Sequence, residues 1–101
     1  MKNVIKLIKY GQIISEKDIG DRIYHEIHED LEKHDKAFID FSGLISMATF
    51  CAKQIFGRLY IDLSPNVFFE KVSLENVSDD LKIIIRVGIQ NALEEVAFEH
   101  N

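Results

Sequence analysis

The sequence predicts an α/β layer fold of order β-α-β-α-β-α, a single domain over residues 1–101 with a central mixed sheet and helices packed on it. Three observations lead there. Short runs rich in β-formers (residues 3–9, 37–41 and 67–74) alternate with longer segments whose apolar residues recur every three or four positions. No internal repeat, low-complexity tract or linker interrupts the alternation. The 101 residues, 47% of them hydrophobic and 29% charged, suffice to bury a core without metal or disulfide staples.

The first run, residues 3–9, carries Val4, Ile5, Leu7 and Ile8 and is stopped by Tyr10, Gly11 and Gln12. Ile13 and Ile14 are expected to pair back as a stub. Ser15 stands three residues before Asp18, a capping-box-like start for the first helix. Ile19, Ile23, Ile27 and Leu31 then form one apolar stripe, with Tyr24 at its border. Gly20 lies on that stripe, where a glycine costs about 1 kcal/mol relative to alanine, so its expected use is close approach of backbones. Between residues 16 and 33 seven acids stand against three bases, and the outer face of this helix is acidic.

The centre of the chain is KAFIDFSGLISMATFCAKQIFGRLY, residues 36–60, read as buried strand, tight loop and helix. Ser42 and Gly43 end the strand, a small polar corner follows at residues 46–49, and Ala48, Ala52, Ile55, Phe56 and Leu59 give the helix its inner face. Asp62, Leu63, Ser64, Pro65 and Asn66 mark the clearest loop, with the only proline of the chain. After the run 67–74, Ser78 is the natural N-cap of the last helix, with Asp79 and Asp80 suited to its dipole. In that helix Leu81, Ile84, Ile85, Gly88, Ile89, Ala92 and Val96 share a face, and Ile83, Val87 and Phe98 fall on another. A second apolar stripe implies a groove or a partner, including another copy of the chain.

A formal charge of -5 and the lack of a Lys/Arg cluster argue against nucleic acid. The N-terminal residues have no signal-peptide core, no stretch is long enough to span a membrane, and the lone Cys51 sits in an apolar pattern, so a reducing cytoplasm is expected. His25 and His28 with Glu29 and Glu32 share a helix face, but solvated surface is the better reading of that spacing, and no metal or cofactor is expected. His34 and His100 are too far along the chain from Cys51 for its surroundings to suggest an activated thiol, and a buried, inert cysteine is expected.

Candidate function concentrates beyond the end of the central strand, where α/β folds meet ligands and partners. Asp40 is either an acid, base or ligand anchor, or the acceptor that holds the turn through loop amides. Ser46 and Thr49 are either N-caps or phosphoacceptors. Phe50, Gly57 and Ile61, with Lys53, Gln54 and Arg58 nearby, form a face that either docks a partner or is covered by the chain's own loops.

Four segments resemble a known family. YGQIISEKDIGDRI, IDFSGLIS, ATFCAKQIFGRL and VSLENVSDDLKIIIRVGI follow in the order and spacing of the STAS domains of bacterial anti-sigma factor antagonists. The closer resemblance is to the STAS-like family of unknown function, DUF4325. It implies a bacterial, non-catalytic regulatory module that binds a histidine-kinase-like ATPase. In the antagonists that kinase phosphorylates a serine at the start of the helix after the central strand. Here the usual Asp-Ser-Ser-Gly corner is replaced by Ser46, Met47, Ala48, Thr49 and Phe50, and Thr49 is the nearest match to the phosphorylated hydroxyl. The contact surface implied is Asp40, Ser42, Gly43, Ser46, Thr49, Phe50, Lys53, Gln54, Gly57 and Arg58. The alternatives are a constitutive homodimeric scaffold built on the second stripe of the last helix, and a small-molecule or nucleotide binder at the same loop. The latter lacks a Gly-rich phosphate loop, and no nucleophile, base and orienter can be assembled for an enzyme.

Overall fold

A computed structural model describes residues 3–99. The fold is α/β, with two small sheets and helices packed beside them. Strands β1 (Val4–Lys6), β3 (Ala37–Asp40) and β5 (Val72–Glu75) form a three-stranded sheet in the order β1-β3-β5. Strands β2 (Ile13–Ile14) and β4 (Ser46–Met47) form a separate pair. Every pairing among the described residues is parallel, where a mixed sheet was expected. Parallel neighbours need long crossovers, and here each crossover contains a helix.

Register places Ile5, Ile39 and Leu74 in one row across the larger sheet, with Ile5 and Ile39 buried. Phe38 and Ser73 lie on the other face, half-buried, so the sheet is covered well on one side only. The first strand is shorter than its apolar run. Leu7–Tyr10 winds into a 3₁₀ turn that takes Leu7 fully into the core, and the Gly11 N–H closes it on the Ile8 carbonyl at 2.9 Å. Gly11 adopts φ +118°, open to glycine alone without strain.

Ile13 and Ile14 do not pair back on β1. They run parallel to Ser46 and Met47 instead, which places Ile14 and Met47 in the core. The polar corner is therefore partly strand, a two-residue element too short to carry a period.

Helix α1 (Lys17–Lys33) begins one residue later than the Ser15 signal implies: Glu16 is the capping position and makes no side-chain cap bond. Ile23, Ile27 and Tyr24 are buried as their stripe predicts. A helical segment then runs from Thr49 to Leu63 as α2 (Thr49–Ala52), a π turn (Lys53–Gly57) and α3 (Arg58–Leu63). It buries Cys51, Ala52, Ile55, Phe56, Gly57 and Leu59 because α1 packs on one side of it and α5 on another.

The expected strand at residues 67–74 is corrected. Residues 65–71 are helix α4 (Pro65–Lys71), and only Val72–Glu75 is strand. Pro65 at the first helical position favours the helix start, and Phe68 gains full burial there, which together outweigh the β preference of Val67, Phe68 and Phe69. The strict β-α-β-α-β-α order is thus replaced by β1, β2, α1, β3, β4, the α2–α3 segment, α4, β5 and α5 (Asp79–Glu99).

Helix α5 is capped as expected, with the Leu81 N–H donating to Ser78 Oγ at 3.2 Å. Leu81, Ile85, Gly88 and Ala92 face the core. A Cβ on Gly88 would lie 2.7 Å from the Ala52 carbonyl carbon and from the Lys53 nitrogen, so backbone meets backbone where α5 crosses the π turn. Gly20 serves a softer approach: its imagined Cβ would meet the Gln54 side chain, with the Cys51 Sγ at 3.6 Å. No helix among the described residues is long and apolar enough to cross a membrane.

Candidate functional site

The chain leaves β3 at Asp40 and turns sharply. Gly43 takes φ +82° and Leu44 N–H returns to the Phe41 carbonyl at 3.0 Å, closing a tight turn. Phe41 is buried against Phe56, ring centroids 5.7 Å apart, so the turn is anchored to the core from beneath. The next stretch is pinned to β2. Ile45 N–H donates to the Gln12 carbonyl at 2.8 Å and Ala48 N–H to the Ile14 carbonyl at 2.8 Å. Exposed side chains on this corner therefore project from a fixed backbone.

Asp40 holds the turn. Its Oδ1 accepts the Ser42 N–H and the Asn76 Nδ2–H, each at 2.9 Å. The Asn76 side-chain bond, followed by the Ser42 backbone and side-chain bonds, pulls its carboxyl down to about 2. Asn76, after β5, sits at φ +57° and was missed in the sequence; an Asn two residues before an N-cap serine is the signal that could have found it. Asp40 thereby ties the end of β3 to the end of β5. This is the turn-holding alternative read from the sequence, made with loop amides.

Ser42 and Gly43 are exposed, Ser46 is half-buried within β4, and Thr49 and Phe50 stand exposed on the first turn of the helical segment. Phe50 is 53% exposed. The capping position before Thr49 is Ala48, whose side chain can offer no hydrogen bond.

Phe50 opens onto a groove of about 410 Å³ between the N-terminal end of α1, the α2–α3 segment and the C-terminal half of α5. Lys53, Gln54 and Arg58 line it too, together with Ile61 and Val96. The cations are each engaged from within. Lys53 pairs with Glu95, and the Arg58 guanidinium stacks 3.9 Å from the Tyr24 ring centroid. Tyr24 donates its hydroxyl to Asp62 at 2.5 Å; burial first, then that bond, raises its pKa. Gln54 donates to the Lys17 carbonyl at 2.9 Å, and its buried Oε1 has no partner among the described residues. Gly57 is different. It is buried under α5, 2.7 Å from the Ala92 Cβ for any Cβ placed on it, so it serves packing and no surface contact.

The structure thus gathers Phe50, Lys53, Gln54 and Arg58 on one groove, and Asp40, Ser42 and Gly43 on the adjoining turn. A family model for a STAS-like domain of unknown function (DUF4325) matches residues 20–82. The chain belongs to that family. The match runs from Gly20 of α1 through the corner and groove helix into the first turn of α5, while Lys17 and the C-terminal half of α5, which complete the groove, lie outside it. No curated protein matches it, and no solved structure does.

Among the described residues of the STAS-like domain no group of three or more His, Cys, Asp or Glu side chains is placed to hold a metal ion. His25 lies 3.5 Å from Asp21, and His28 lies 3.1 Å from Glu32, each within one exposed helical turn. His100 lies outside the described residues. Cys51 is fully buried with its Sγ 3.5 Å from the Glu16 carbonyl, and burial pushes its thiol pKa up, the opposite of what an activated nucleophile needs.

Proposed function

We propose that this STAS-like domain is a non-catalytic regulatory module of the bacterial cytoplasm that docks a histidine-kinase-like ATPase. Its contact surface is the turn at Ser42 and Gly43, the first helical turn at Thr49 and Phe50, and the groove edged by Lys53 and Arg58. One observation carries the reading: Thr49 and Phe50 are both exposed, on a backbone fixed from beneath by the core and from the side by β2. A fixed backbone lowers the ordering cost of binding, and an exposed aromatic beside cations is a common interface anchor. Thr49 is the phosphoacceptor in this reading, since Ser46 is half-buried in β4. A phosphate on Thr49 would add charge at the contact surface and weaken docking of an apolar partner face there.

The test is to mix the domain with a purified histidine-kinase-like ATPase of the anti-sigma type, with ATP and magnesium, and record co-elution and intact mass. A stable complex with one phosphate added, lost in Thr49→Ala, supports both docking and switch. A complex without added mass keeps the docking module and removes the switch. Neither complex nor added mass refutes the proposal. Phe50→Ala tests the surface itself: it should weaken the complex at least about tenfold while leaving the unfolding midpoint unchanged.

A further inference from the structure

The C-terminal helix carries a feature that the docking surface does not use. On α5, Ile83, Val87, Leu93 and Phe98 are 55%, 40%, 45% and 82% exposed. At 100° per residue these side chains, with Arg86 and Gln90, occupy the side of the helix opposite the buried Leu81, Ile85, Gly88 and Ala92. Four large apolar side chains left in water on one face of a helix of 21 residues mark an interface.

The charges on that face say which partner fits. At its N-terminal end Asp79 and Asp80 stand with Lys82, which pairs with Asp79 at 4.0 Å, and farther along Arg86 and Glu94 flank the exposed Gln90 about one turn to either side. Arg86 and Glu94 thus place opposite charges on the two sides of Gln90. We propose that this face pairs with the same face of a second copy, the two α5 helices running antiparallel across a two-fold axis at Gln90. A two-fold makes each contact reciprocal. With Gln90 opposite itself, Arg86 stands opposite Glu94 twice, Val87 opposite Leu93 twice, and Ile83 opposite Ala97 twice. A parallel pairing would instead set Arg86 against Arg86 and Glu94 against Glu94, and like charges across an interface are penalised.

A neighbouring groove extends the same surface. It holds about 410 Å³ between α5 and α4, is floored by Tyr60, Phe68 and Leu74, and has Lys82 and Arg86 on its α5 edge. Phe69, 70% exposed, forms its other side. In the antiparallel pair the second copy's Phe98 arrives opposite Lys82, beside this groove, where an aromatic ring meets both a cation and apolar walls.

The experiment uses the full chain in sedimentation velocity and light scattering from about 1 to about 200 µM, because dimer population follows concentration. The wild type should reach the dimer mass. Arg86→Glu and Glu94→Arg should each raise the dimer dissociation constant about tenfold or more, and the double exchange should restore it. Gln90→Cys gives an independent reading. Oxidised, it should form a covalent dimer much faster than Glu94→Cys does, while the buried Cys51 contributes nothing. A wild type that stays monomeric throughout overturns the proposal. So does a dimer indifferent to both charge reversals, or one in which Gln90→Cys links no faster than Glu94→Cys.

Discussion

Gly57 and Gly88 meet backbone to backbone where α5 crosses the π turn: a Cβ on Gly57 would fall 2.9 Å from the Gly88 carbonyl oxygen. The neighbours of Gly88 are backbone atoms of Ala52 and Lys53, which cannot yield by a rotamer change. Gly88→Ala should therefore destabilise the fold by about 1–3 kcal/mol through overpacking, although an alanine in an unconstrained helix would gain about 1 kcal/mol. Gly20→Ala is the contrast. Its obstacle is the far end of the Gln54 side chain, which can swing away, so the loss should stay below about 1 kcal/mol. Urea midpoints of the two variants decide the matter; equal shifts would refute the distinction between a backbone and a side-chain obstacle.

Asp40 makes acid stability pH-dependent in a definite direction. Its folded-state pKa is about 2, below the ordinary 3.8, because the Asn76 amide and the Ser42 N–H bond its ionised form. The unfolded chain therefore binds the proton more readily, and this contribution is present above pH 4 and lost as pH falls towards 2. Asp40→Ala should lower stability at neutral pH and flatten the acid limb of the stability profile. Asn76→Ala should flatten it as well, in proportion to the bond it removes. Unchanged acid limbs in both variants would show that the carboxylate gains nothing from this turn.

Cys51 should report opening of the fold. It is fully buried with a raised thiol pKa, so alkylation of the native chain at pH 8 should run at least about a hundredfold slower than in urea, limited by opening. Gly88→Ala should speed it in proportion to the stability lost. Rapid native-state labelling would mean that the α1 and α5 layers part easily around the central helix.

Long periodic segments with chemical end signals were legible from the chain. The inner faces of α1, the α2–α3 segment and α5, the central strand and the Ser78 cap all stand where their residues put them. What escaped was short or decided by tertiary contact. Strand β4 has two residues and exists because Gln12 and Ile14 offer it carbonyls. Val67, Phe68 and Phe69 read as strand by propensity, yet Pro65 and the burial of Phe68 make them helical. Ser15 looked like a cap, but the helix starts beyond it. At the candidate site, the exposure of Phe50 and Thr49 and the groove they flank could not be read from spacing. Gly57 is buried, not on the outer face its spacing predicts, because the approach of α5 is a long-range contact, and the role of Asn76 is not legible in the chain because its partner lies across the sheet.

The strand order also sets the order in which the molecule can be assembled. Val4 pairs with Phe38, Phe38 pairs with Ser73, and Ile13 pairs with Ser46, so among the described residues no strand joins its immediate successor and no hairpin can nucleate the sheet. Every ladder closes a long loop first, which slows folding. Yet the order β1-β3-β5 adds each new strand to the edge left by the one before. A chain emerging from a ribosome can therefore lay its main sheet down in the sequence in which it is made, growing in one direction only. Helix α5 comes last, and its glycine can seat on the π turn only once that turn is already in place.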